Sequence, residues 1–437
     1  MVFDPAELAD LGRDWTRYYP VRALAAIFPK NIEDISKILK FCNEQEIEVV
    51  PSGGRTGLSA GAVATRGELI LSLSKMNRIL AWDSGAQCVD VEAGVIHEAL
   101  QNFLEAKGFH WPIDLASKGS CEIGGNLATN AGGLRVIRYG HARRWVQSIT
   151  VVTAAGDIME LNGPLEKNNA GICLRDLFIG SEGTLGVIAR ARLKVIPLVK
   201  NKVTILAPVK SIAEGLATLR SFREKHLSLL AFEFFKKDCL ERVLQKTGLK
   251  APFNRQHPAY VLMDIEVASL AELPEDLGLN DDSIAVDQVE GSRKLWAYRE
   301  NITESLAHLG FVYKHDLAFP LANLESFLQN FEADFPTRFP GAELYVFGHL
   351  GDGNIHLNIV YPRKDLDGAL LKHCADQNDW LFGEVKKQQG SISAEHGLGL
   401  IKQRYLKMFR SDSEIQILKA IKKAFDPKAL LNPGKGV

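Results

Sequence analysis

The chain has no apolar run of about 18 residues, so nothing in it reads as a membrane-spanning helix. It has no block of basic residues, and its formal net charge is −1. Neither nucleic acid nor an anionic membrane surface is favoured as a partner. Its six cysteines, Cys42, Cys88, Cys121, Cys173, Cys239 and Cys374, include no Cys-x-x-Cys pair. That argues against a disulfide frame, a zinc ribbon and an iron–sulfur ligand set, and suits reduced thiols packed as small hydrophobes. The N-terminus, Met1-Val2-Phe3-Asp4-Pro5-Ala6-Glu7, lacks the basic region and apolar core of a secretory signal, and the expected setting is cytoplasmic. No Gly-x-Gly-x-x-Gly loop is followed by an acidic residue about 20 positions on, and no Gly-x-x-x-x-Gly-Lys-Ser/Thr occurs. Rossmann and P-loop nucleotide sites are therefore disfavoured.

What is present is ordinary globular composition: 437 residues, 46% hydrophobic and 24% charged. That length implies two or three domains. Three regions appear, 1–198, 199–388 and 389–437. The first is Gly-rich and alternates strands with helices. Residues 22–28 read as a strand, and Asn31 can cap a helix with Ile32, Ile35, Leu39 and Cys42 on one face. A strand at 47–50 follows and runs into Pro51-Ser52-Gly53-Gly54. In the second region, strands are expected near 202–207, 230–235, 259–266, 311–316, 344–348 and 355–361. Helices are expected near 211–225, 320–334 and 365–388, on one face of a sheet. The third region has a helix near 412–424.

Three segments are built to approach an extended anionic ligand. The first is Pro51 to Gly61, where successive backbone N–H groups can point at one oxyanion and Ser52 and Thr56 add hydroxyls. The second runs from Pro112 to Gly133 and is so rich in small residues that it fills little space itself. A bound cofactor is the simple occupant. The third is Gly180 to Ile188.

The stretch Gly348-His349-Leu350-Gly351-Asp352-Gly353-Asn354-Ile355-His356 is a strong hairpin signal, with strand-like sequence on both sides. A turn centred on Asp352-Gly353 sets His349 opposite His356, with Cβ atoms about 4.5–5.5 Å apart. Two imidazoles so placed can share a metal ion, or merely stack or face water. Asn358 joins the face of His356. In Ser393-Ala394-Glu395-His396-Gly397-Leu398-Gly399, extended backbone would send Glu395 and His396 to opposite sides. Glu395 could then complete a site of two histidines and one carboxylate with open positions, leaving His396 as a base. A surface glutamate and a structural histidine are the plainer reading. The segment 294–303 reads as one helix, with Arg299 and Thr303 on a shared face and Lys314 on a strand beyond. Those three suit a substrate carboxylate, or are solvated surface groups.

Taken together, these motifs resemble the FAD-dependent D-2-hydroxyacid dehydrogenases of the vanillyl-alcohol oxidase type, over nearly the whole chain. The most specific stretches are Pro112 to Gly140, Gly180 to Ile188, Gly348 to Asn358, Ser393 to Gly399 and Asn432-Pro433-Gly434. The resemblance implies an α+β fold: an FAD-binding domain in two parts (1–198 and 389–437) and an antiparallel-sheet cap domain (199–388). It assigns the non-covalent FAD to Ser52, Gly53, Gly54, Arg55, Thr56, Gly57, Leu58 and Ser59. It adds Pro112, Asp114, Leu115, Gly119, Ser120, Gly124, Gly125, Ala128, Thr129, Gly132 and Gly133, then Glu182, Gly183, Gly186, Ile188 and Asn432. It assigns a divalent metal, usually zinc, to His349, His356 and Glu395, the catalytic base to His396, and the substrate to Arg299, Thr303, Lys314 and Asn358. The implied reaction is oxidation of a D-2-hydroxy acid, first D-2-hydroxyglutarate, by hydride transfer to flavin N5. D-lactate or glycolate, or a non-catalytic FAD subunit, are the alternatives. An electron-transfer flavoprotein or quinone would reoxidise the flavin, and a homodimer is compatible with this reading.

Overall fold

The computed structural model describes residues 1–274, 276–363 and 368–436. The chain divides into two compact units. One comprises Met1–Gly133, His141–Leu198 and the chain from Glu395 on; the other comprises Leu134–Gly140 and Val199–Ala394.

In the first unit, a parallel three-stranded sheet has the order Ala25–Ile27, Leu69–Ser72, Val49–Ser52. The helix Ile32–Glu44 lies between its first two strands in sequence. Asn31 caps it by accepting the Asp34 N–H at 2.8 Å, and it buries Ile32, Ile35, Leu39 and Cys42, the stripe expected from their spacing. Such a cap contributes about 1 kcal/mol. The second sheet is antiparallel, in the order Ile79–Asp83, Cys88–Glu92, Val187–Lys194, Val146–Val152, Ile158–Leu161. Its core includes Val89, Leu100, Trp111, Phe178 and Leu193. The C-terminal tail returns to the parallel sheet: Leu431 bridges Val49, and the Asn432 N–H donates to the Val49 carbonyl at 2.8 Å. The helix before it, Asp412–Phe425, starts on a Ser411/Glu414 capping box.

The second unit is a seven-stranded antiparallel sheet. Its order is Ile284–Val286, Val203–Val209, Ala259–Ile265, Leu229–Lys236, Glu343–Gly348, Asn354–Tyr361, Phe311–Ala318. The expectation of helices on one face is overturned. Tyr260 and Leu262 pack with Cys239, Val243 and Leu295 of the helices Lys237–Thr247 and Val289–Glu300. On the other face, Gly215 of the helix Ile212–Glu224 lies against Val261 and Phe234. The physical reason is in the strands. Ala259–Ile265 reads Ala-Tyr-Val-Leu-Met-Asp-Ile, is buried at every position, and so needs cover on both sides. The expected helices at 320–334 and 365–388 appear as Leu321–Arg338 and Gly368–Lys387, with 365–367 outside the described residues. Among the described residues no helix is long and apolar enough to cross a membrane.

Candidate active site

In the first unit, an open groove is lined by Pro51, Ser52, Gly53, Leu73, Ala93, Glu122, Gly124, Gly125, Ala128, Glu182, Gly183, Gly186, Val187 and Ile188. All three Gly-rich segments contribute to this wall. Their small residues leave the space, and backbone crowding fixes the loops beside it. A Cβ on Gly54 would sit 2.1 Å from the Ser120 carbonyl oxygen, so the first loop seats on the second only because position 54 has no side chain. Two buried polar atoms of the lining, Ser52 Oγ and Glu122 Oε2, have no hydrogen-bond partner. Orphans of this kind fit a polar ligand in the groove. Burial pushes the Glu122 carboxyl up to about 7, with Arg55 pulling the other way, so it can donate as well as accept.

The rest of the expected cofactor set lies in the same unit but outside this lining: Gly54 to Ser59, Pro112, Asp114, Leu115, Gly119, Ser120, Thr129, Gly132, Gly133 and Asn432. Two of these expectations meet other duties. Glu182 lines the groove, yet its carboxylate oxygens accept the N–H groups of Leu398 at 2.7 Å and Gly399 at 2.8 Å. Asn432 donates its amide to the carbonyls of Gly61 at 2.9 Å and Glu182 at 2.6 Å. The chain after His396 is therefore tied to the groove wall. Ser59 adds a third tie, its Oγ donating to the His396 carbonyl at 2.7 Å. Residues 394–396 form a bend, not the extended segment expected.

In the second unit, the hairpin differs from the sequence expectation. Leu350–Asp352 winds into a 3-10 turn and Gly353 takes φ +80°, so the loop spans 349–353 and not two residues. His356 pairs with Phe347 instead of His349. The cause is local. The Asn354 N–H donates to the His349 carbonyl at 3.1 Å, with the Asp352 carboxylate a second acceptor at 3.3 Å, and Arg223 Nη2 donates to the Gly351 carbonyl at 2.9 Å, which a two-residue turn would pair with Asn354. The register slips by two, an even number, so His356 keeps its expected face.

The two imidazoles still meet, with Nε2 atoms 3.4 Å apart and ring planes at 88°. Each ring is held from behind. His349 Nδ1 is 2.7 Å from Glu233 Oε1, and His356 Nδ1 is 3.4 Å from Asp316 Oδ1. A carboxylate facing Nδ1 favours the proton there and turns the Nε2 atom of each ring toward the other. This is how histidine metal ligands are oriented, so the donor set fits a divalent ion of the zinc type with open positions. Burial lowers the His356 pKa, partly offset by Asp316, which keeps the ring neutral as a ligand must be.

Glu233 is fully buried on the strand Leu229–Lys236 and also binds Arg299, at 2.9 Å to Nε and 2.8 Å to Nη2. Burial pushes its carboxyl up, but His349 and Arg299 win and hold it below its ordinary range. The Arg299 guanidinium also stacks on Phe347, 4.6 Å from the ring centroid. Lys314 and Asn358 are cross-strand partners, next to the Asp316–His356 pair on the same ladder. Burial lowers the Lys314 ammonium to about 8. Asn358 Nδ2 is buried with no partner. The single helix expected over 294–303 is two, broken at Asn301, whose amide donates to the Ala297 carbonyl at 2.8 Å. Half-buried Thr303 is thus on the second helix. Glu395 and His396 belong to the first unit.

Sequence reasoning missed Glu233 and Asp316. Their signal was present: each is an acid inside an apolar strand, Leu-Leu-Ala-Phe-Glu-Phe-Phe-Lys and Phe-Val-Tyr-Lys-His-Asp-Leu-Ala. A buried acid needs a partner. It also passed over Leu73 and Ala93, which look like ordinary apolar positions, and within the three segments it did not assign Pro51, Glu122 or Val187 individually.

Comparison with known proteins now decides the family. Residues 23–162 match the FAD binding domain, and residues 198–436 match the FAD linked oxidases, C-terminal domain. The chain belongs to the FAD-linked oxidase family. Relatives of this family member include the D-2-hydroxyglutarate dehydrogenase of Stutzerimonas stutzeri, 39% identical over 99% of this chain and 95% of that one. The mitochondrial D-2-hydroxyglutarate dehydrogenase of Bos taurus is 37% identical over 100% and 80%. Among solved structures, an alkyldihydroxyacetonephosphate synthase has a TM-score of 0.69 at 17% identity, covering 94% of this chain and 76% of that one. That likeness identifies the vanillyl-alcohol oxidase-type fold, and the α+β expectation holds.

Proposed function

We propose that this protein oxidises a D-2-hydroxy acid, D-2-hydroxyglutarate first, to the 2-oxo acid, with FAD in the glycine-lined groove and a divalent ion, zinc by preference, on His349, His356 and Glu395. The observation that carries this reading is the pair of imidazoles, each backed by a buried carboxylate, with Nε2 atoms 3.4 Å apart. Glu395 as third ligand is supported by chain path. Ser391 bridges Ala318, on the strand that bears Asp316, and Glu395 follows four residues later, within about 13 Å at ~3.3 Å per residue. The names of the relatives support the substrate.

When bound, FAD would supply the two-electron acceptor and the divalent ion would polarise the substrate's oxygens. The chain's own residues do the rest. Arg299 and Lys314 hold the carboxylate, while Thr303 and Asn358 orient the substrate. His396 takes the hydroxyl proton as Cα gives up its hydrogen with the bonding pair. The Ser59 and Glu182 ties hold the backbone at the His396 carbonyl and just beyond it. An electron-transfer flavoprotein or quinone would then reoxidise the cofactor.

A substrate panel on one purified sample, with flavin and metal content measured, tests this. The expected order is D-2-hydroxyglutarate ahead of D-malate and D-lactate, with zinc and FAD both present. A clear preference for D-lactate would remove the substrate assignment, and a flavin-replete active enzyme free of metal would remove the metal.

A further inference from the structure

Glu233 bonds two of the groups that this reading uses. One oxygen faces His349 Nδ1 at 2.7 Å, and the other takes Arg299 Nε at 2.9 Å and Nη2 at 2.8 Å. We infer that Glu233 is a positioning residue which fixes at once the metal-binding tautomer of His349 and the rotation of the Arg299 fork. Nothing lets the side chain drift: it is fully buried in the middle of the seven-stranded sheet. Phe347 stacks on the guanidinium and ends the space available to it.

Hydrogen-bond inventory decides which side chain can stand here. Arg299 has donors only, and His349 must donate from Nδ1 if its Nε2 lone pair is to face a cation. The group between them must therefore accept on both sides, and a carboxylate is the side chain that does. Glutamine has the same shape but one acceptor and one donor. Its oxygen must face Arg299, so its NH2 faces His349 Nδ1. The ring then carries its proton on Nε2, where it cannot bind a metal. The opposite amide orientation sets NH2 against the guanidinium. Glu233→Gln cannot satisfy both neighbours and keep a metal-ready His349. Glu233→Asp keeps acceptors on both sides but draws them back by one methylene.

The inference rests on the metal reading, and the experiment separates the two. Zinc content, zinc affinity by chelator competition, flavin absorbance and KM are measured on wild type, His349→Ala, Glu233→Gln and Glu233→Asp. All four are expected to hold FAD at the wild-type ratio. His349→Ala should lose zinc. Glu233→Gln should bind zinc about 10–100-fold more weakly, the usual cost of losing such a support, with KM raised as the Arg299 fork loosens. Glu233→Asp should fall between. If His349→Ala keeps its zinc, the metal reading falls and the inference with it. If His349→Ala loses zinc while Glu233→Gln binds it as wild type does and only melts earlier, the metal reading stands and the inference is overturned. Should Glu233→Gln not yield folded protein, wild-type zinc affinity in Glu233→Asp overturns it equally.

Discussion

In the first unit, Gly53, Gly124, Gly125, Gly183 and Gly186 line the groove with backbone and keep it clear of side chains. In the second, Glu233, Arg299, His349, Asp316 and His356 crowd into the sheet and bond one another at 2.7–3.4 Å. The first region recognises by what it omits; the second by charges whose burial each neighbour must offset. Failure should differ accordingly. Added bulk should empty the groove and spare the cluster, whereas a removed charge should disturb the cluster and spare the groove.

The largest expected effect tests the first half of that contrast. Gly54→Ala puts a methyl group 2.1 Å from backbone that cannot yield. The variant should purify without FAD and without activity while still binding zinc, which flavin absorbance and metal analysis check. Zinc lost along with FAD would mean that the two regions fail as one. Next, His396→Asn should lower kcat by about 10²–10⁴-fold, the usual size of a general-base contribution, with FAD and zinc unchanged. A rate within tenfold of wild type would remove the base from His396.

Legibility from sequence follows the same divide. The groove was readable because glycine-rich segments are conspicuous and local. The Asn31 cap and the Ile32–Cys42 stripe were readable for a similar reason, since helix spacing is written in one segment. The cluster was half readable. His349 and His356 stood out, and their shared face survived, but the turn did not, because Asp352 and Arg223 compete for the loop's backbone. Glu233 lies 116 residues from the histidine that it holds. No spacing rule joins positions that meet only when a sheet forms. Helices on both faces were not legible from the one-face rule, because that rule suits alternating strands and Ala259–Ile265 is buried at every position.

Smaller effects sharpen the comparison. Lys314 is cationic below about 8 and loses its charge as pH rises through that value. KM for an anionic substrate should therefore climb above pH 8 in wild type. In Lys314→Met it should be about tenfold higher at neutral pH and flat through that window, consistent with losing one charged contact. A wild-type KM flat from pH 7 to about 9 would remove Lys314 from the anion site. Smallest is Ser59→Ala, which loses one hydrogen bond to the His396 carbonyl. A cost of about 1 kcal/mol in kcat is expected, roughly fivefold, with FAD retained. Loss of FAD instead would make Ser59 a cofactor contact.

The measurement that meets the central claim most directly is the joint flavin and zinc stoichiometry of His356→Ala. The account predicts a yellow protein with FAD at the wild-type ratio, no zinc and little activity. Full zinc in that variant, or loss of FAD together with the metal, would contradict it.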